Sequence, residues 1–143
     1  MVSAQILVLS LFSYDRLSKK PLLFKSFTGL TVQEFDDIYD NEIIKIHDKH
    51  ETQRLSKRKN RERDIGVGRH FKLDIKNRFL MLLIYYRLYI TYTLSGFLFD
   101  LDQSNICRDI QKIEQLVRKY TNSTKGIQHY KEAKNARRSR EIL

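Results

Sequence analysis

From Thr31 onward the chain places apolar residues at helical intervals. Val32, Phe35, Tyr39, Ile43 and Ile46 fall on one side of a 3.6-residue period and predict a long helix with a single core-facing stripe. Its start is well specified, because Thr31 and Glu34 have the spacing of a capping box while Leu30 and Phe35 stand where a hydrophobic staple closes around it. A second pattern runs from Ile75 to Ile90, where Phe79 to Tyr86 and Leu88 to Ile90 are apolar on nearly every face, as a central helix surrounded by others requires.

The third pattern, Thr93 to Lys119, has the spacing of a short helix, a tight turn and a second helix. Gly96 is a small residue suited to a close crossing of two short helices. Asp100 follows four residues later, at a turn position where aspartate tolerates the left-handed conformation. Leu101 and Ile106 can pin such a turn to a core, and Asp102 is placed to cap the second helix. Within that helix Ile106, Ile110, Ile113 and Val117 share a narrow sector, and Ser104, Arg108, Gln111 and Gln115 project from the opposite side. The expected fold is all-α: a long N-terminal helix, a buried central helix and a C-terminal helix-turn-helix. One proline, five glycines and no alternating strand pattern agree with it.

Charge gives this architecture a direction. Lysine and arginine outnumber aspartate and glutamate by 27 to 17, a formal charge of +10 that favours a polyanionic partner. Gln103, Ser104 and Asn105 open the second helix, where recognition helices approach bases. Arg108, Gln111 and Lys112 continue along it, with glutamine and asparagine suited to adenine and arginine to guanine. Arg54, Lys57, Arg58, Lys59, Arg61 and Arg63 form a basic run suited to phosphates, with Gly66 and Gly68 as a joint before the central helix. The chain therefore divides into an N-terminal lead-in over 1–20, a domain over 21–120 with a basic linker at 54–73, and a disordered basic tail over 121–143. Lys131, Lys134, Arg137, Arg138 and Arg140 in that tail would add phosphate contacts.

Other chemistries fit poorly. Cys107 is the only cysteine, which excludes an intramolecular disulfide and a cysteine-rich zinc site, and points to a reducing, cytoplasmic setting. The apolar run from Ile6 to Phe12 lacks the flanks of a secretory signal. Phe79 to Phe99 is long enough for a membrane span, but Arg87 at its midpoint would cost roughly 2.5 to 3.5 kcal/mol on insertion scales. The tyrosines of the central helix lack the arginines and histidines that a tyrosine nucleophile needs, so they read as packing residues. His47 and His50, with Asp48 and Glu51, have one-turn spacing but read as solvated. Asp36, Asp37, Asp40 and Glu42 are explained by solvation and the helix dipole. No metal, cofactor or catalytic residue is expected.

The segments FKSFTGLTVQEFDDIY (Phe24 to Tyr39) and RFLMLLIYYRLYITYTLSGFLFDLDQSNICRDIQKIE (Arg78 to Glu114), with the basic linker between them, resemble the helix-turn-helix domain that precedes the catalytic domain in insertion-sequence transposases of the DDE superfamily. The likeness spans Tyr14 to Lys119. It implies a double-stranded DNA partner, the terminal repeats of a mobile element, with a homodimer compatible with the motif. In that family an RNase H-like domain supplies three metal-binding carboxylates. Here about two dozen residues follow Lys119, against roughly 100 for a separate domain, so the ending reads as a truncated or frame-shifted copy and no catalysis is expected of this chain. A stand-alone transcriptional regulator with the same motif is the alternative. A helical interaction protein whose polar face is merely solvated is a third reading.

Overall fold

The computed structural model describes residues 11–57 and 71–122, and within them all regular structure is helical. Six helices follow in order: α1 Tyr14–Leu17, α2 Pro21–Thr28, α3 over 32–56, α4 Ile75–Leu88, α5 Tyr92–Phe99 and α6 Gln103–Thr121. α3 is 25 residues long and is built from α-helical Val32–Ile38, a π-helical turn Tyr39–Ile43 and α-helical Ile44–Ser56. The expected long helix, central helix and helix-turn-helix are therefore all present. Gly66, Gly68, the basic residues 58–63 and the tail from 123 onward lie outside the described residues.

Local chemistry accounts for most helix boundaries. The capping box of α3 is formed, with the Thr31 hydroxyl accepting from the Glu34 amide at 3.2 Å and the Glu34 carboxylate accepting from the Thr31 amide at 2.9 Å. Asp74 caps α4 by accepting from the Asn77 amide, and Asn77 in turn accepts from the Tyr14 amide at 2.8 Å, which ties α1 to α4. Thr91 caps α5 through the Leu94 amide. Two helices precede the one the periodicity makes conspicuous. α2 begins on Pro21, whose missing N–H costs nothing in a first turn, and ends on Gly29 in the left-handed region at φ 78°.

One core runs through the molecule. At one end an aromatic cluster joins α1 to α4: Phe24 meets Phe35 edge-on at 5.4 Å, and Phe35 stacks on Phe79 at 5.0 Å and on Tyr14 at 5.5 Å. At the other end Phe99, Ile106, Ile110 and Ile113 are buried between α4, α5 and α6. Phe12 bridges the two, against Phe27 and Phe99, and its amide donates to the Leu98 carbonyl. Asp36 takes part as well. It accepts from the Tyr14 hydroxyl at 2.6 Å and pairs with Lys76 at 3.4 Å, so solvation and the dipole are not its whole explanation.

α4 is central only in its first three turns. Arg78, Phe79, Leu80, Met81, Leu82 and Ile84 are buried, whereas Tyr86, Arg87, Leu88 and Tyr89 are exposed. Among the described residues, no helix is long and apolar enough to cross a membrane.

Candidate nucleic-acid interface

The turn between α5 and α6 is held from three sides. Asp100 adopts φ 53° and ψ 52°, the left-handed geometry expected of it, and the Leu101 amide donates to the Gly96 carbonyl at 2.9 Å. From outside, the Lys72 ammonium donates to the Asp100 carbonyl at 2.8 Å and lies 3.3 Å from its carboxylate, so an end-of-helix carbonyl and a negative side chain share one cation. Leu101 packs on the core and Ile106 is fully buried, as the pinning role requires.

Two details differ from the sequence reading. Gly96 is tight chiefly against the turn: a Cβ there would collide with the Leu101 carbonyl oxygen, and of α6 it would approach only the amide of the first residue, Gln103, at 3.8 Å. Asp102 occupies the N-cap with extended backbone, yet its side chain makes no capping hydrogen bond. Its backbone carbonyl still receives the Ile106 amide at 3.0 Å, and the carboxylate stays exposed beside the positive end of α6.

α6 divides cleanly along its length. Ile106, Asp109, Ile110, Ile113, Leu116 and Tyr120 are buried, and Val117 is half-buried beside them. Ser104, Arg108, Gln111 and Gln115 are exposed on the other side, as expected, and Lys112 is exposed on the flank beside them. Gln103 is exposed on the α5 flank of the first turn. Asn105 is half-buried on the flank that carries Asp109, so its amide is the least accessible of the proposed base readers.

The cations differ sharply in how free they are. Arg108 is exposed and makes no hydrogen bond or ion pair among the described residues. Lys112 places its ammonium 4.4 Å from the centre of the Phe71 ring. On α3, Arg54 is bound to the Glu51 carboxylate, at 2.7 Å through Nη2 and 3.2 Å through Nε. Lys57 is exposed at the end of that helix. Arg58, Lys59 and Arg61 fall outside the described residues. His47 and His50 lie 3.3 and 3.8 Å from their neighbouring acids Asp48 and Glu51. No group of three or more His, Cys, Asp or Glu among the described residues is arranged to hold a metal ion.

A buried charge cluster behind this face was not anticipated. Arg78 on α4 and Asp109 on α6 are only 7 % and 4 % exposed. Burial pulls the Arg78 guanidinium below its ordinary range against the opposing pull of Asp109. It pushes the Asp109 carboxyl above its own range against Arg78 and Lys112. The Arg78 guanidinium also lies 4.0 Å from the centre of the Phe71 ring. The available signal was an aspartate set inside an isoleucine stripe, between Ile106 and Ile110.

A short helix joined by a three-residue turn to a longer one, which is seated on a hydrophobic core with a polar outer face, defines a helix-turn-helix. Comparison with protein families is more specific: residues 71–122, which hold α4, α5 and α6, match the family described as helix-turn-helix of DDE superfamily endonuclease. The match covers the helix-turn-helix alone. No curated protein and no solved structure matches the chain.

Proposed function

We propose that this chain binds double-stranded DNA by laying the outer face of α6 in the major groove, and that its specific targets are the terminal repeats of a mobile element. The observation that carries the reading is the outer face of α6, within the segment that matches the transposase-type helix-turn-helix. Arg108 there is exposed and unpaired among the described residues, between Ser104 and Gln111 and above a buried isoleucine stripe. A rigidly seated helix presenting hydrogen-bonding side chains of defined reach is what base-edge reading requires. Gln103, Ser104, Asn105, Arg108 and Gln111 are the proposed base readers; Lys112, Arg54 and Lys57 contact phosphates. Arg58, Lys59 and Arg61 are assigned to phosphates as well, supported by their charge.

The role assigned to the chain is recognition without strand cleavage, in a cytoplasmic setting. Selection from a randomised duplex library, followed by titration of the selected duplex and of flanking DNA from its source, tests this. Enrichment of a sequence found in inverted copies at the ends of an element is expected. Enrichment of a promoter palindrome bound by a dimer favours the regulator reading, and failure to bind any duplex at low salt removes DNA binding altogether. The same complexes incubated with magnesium or manganese are expected to stay uncut.

A further inference from the structure

We propose that Phe71 is a positioning residue for DNA recognition: its ring holds the Lys112 ammonium at a fixed place on the flank of α6, so that this one charge meets a DNA phosphate in register with the base-reading stripe. The assignment rests on the functional reading above. A lysine on a helix surface ordinarily samples many rotamers, and a phosphate contact must first immobilise it. Here the side chain has a surface to rest on, with its ammonium 4.4 Å from the ring centre, inside the range of a cation–π contact.

The ring is itself anchored. The Arg78 guanidinium lies 4.0 Å from its centre, and Arg78 is buried in the first turns of α4, so a ring that is itself exposed rests on a framework residue. Two cations at one ring would repel each other, and Asp109 answers this. It is buried on α6 three residues before Lys112, a neighbouring position on the helix surface, and its charge acts on both Arg78 and Lys112. The next residue, Lys72, is fastened to the turn through the Asp100 carbonyl, so the backbone that carries Phe71 is tied to the helix-turn-helix at two adjacent points. Arg108 has no such support among the described residues, which separates a cation held in place from one left to adapt to a base.

A double-mutant cycle on the full chain tests the assignment, using a mixed-sequence duplex at low salt and the variants Phe71→Leu, Phe71→Tyr and Lys112→Gln. Lys112→Gln is expected to lower the slope of log affinity against log salt by about 0.9, the value of one phosphate contact. Phe71→Leu should weaken binding severalfold in the parent background and leave it unchanged in the Lys112→Gln background, while Phe71→Tyr, which keeps the ring, restores parental affinity. In the free chain the ε-methylene protons of Lys112 should show an upfield ring-current shift that Phe71→Leu removes. Equal weakening by Phe71→Leu in both backgrounds, or no ring-current shift in the parent, overturns the assignment even if the parent binds DNA well. A parent that binds no duplex overturns the functional reading, and the assignment with it.

Discussion

α6 and the second half of α3 are both long, polar-surfaced helices that lie against each other, yet they are held in opposite ways. α6 buries a residue on nearly every turn, from Ile106 to Tyr120. In Ile44–Ser56 no residue is buried, and the stretch follows a π-helical turn at Tyr39–Ile43, which breaks the α-helical register. The first helix is located by the core along its whole length. The second is supported chiefly by its own backbone and by local pairs such as Glu51 with Arg54. A side chain on α6 therefore occupies a defined place relative to a groove, as base reading demands. One on the end of α3 supplies charge without defined register, which suits phosphates.

The two helices should differ most in what their core-facing side chains contribute to stability. Ile106→Ala removes a fully buried side chain beneath the turn and should cost about 2 to 5 kcal/mol of stability. Ile46→Ala, on a half-buried site of α3, should cost clearly less. Urea unfolding of the two variants measures the difference. Equal losses would mean that α3 is seated as firmly as α6.

Next in size is Gly96→Ala. A single methyl group there meets the Leu101 carbonyl oxygen, a backbone atom that cannot rotate away, so the turn must shift. A loss of about 1 to 3 kcal/mol is expected, accompanied by weaker DNA binding because α6 is displaced as a unit. A variant with parental stability would show that the turn adapts, and with it that α6 is not rigidly placed.

Arg108→Ala should leave stability unchanged, since the side chain is exposed and unpaired among the described residues. Affinity for a selected duplex should fall by about 1 to 3 kcal/mol, with mixed-sequence DNA affected less. Titrations of the two duplexes side by side separate base reading from simple charge. An equal loss on both would move Arg108 to the phosphate contacts.

How far the residues announced all this follows the range of the interactions involved. The capping box at Thr31, the isoleucine stripe of α6 and the left-handed turn at Asp100 depend on neighbours within a few positions, and all were legible in the chain. Arg78 with Asp109 and Lys72 with Asp100 join residues about thirty positions apart. No local pattern pairs them. α2 was missed for another reason: Pro21 and Gly29 mark its two ends clearly, but Leu22 and Leu23 are exposed, so its apolar residues draw no clean stripe. The Asp102 cap shows the limit of a positional rule, because the residue is at the right place and its carboxylate does not turn toward the helix. The candidate face was legible as a set of residues on α6, and what the structure adds is which of its cations are already engaged.

The smallest effect belongs to the pair on α3. Glu51 holds the Arg54 guanidinium through three hydrogen bonds, and that contact lowers the Glu51 carboxyl below its usual range. Both side chains are partly exposed, so the pair itself should contribute only a few tenths of a kcal/mol to stability. Its consequence for DNA is a matter of sign. Arg54→Gln removes a cation whose charge is already largely answered, and should weaken mixed-sequence binding only slightly. Glu51→Gln removes the answering charge and frees the guanidinium, so it should strengthen low-salt binding and steepen the salt dependence toward one further phosphate contact. Salt titrations of both variants read the two signs. If Arg54→Gln loses as much affinity as Arg108→Ala, and loses it only on the selected duplex, the end of α3 reads sequence after all, and the division of labour between the two helices fails.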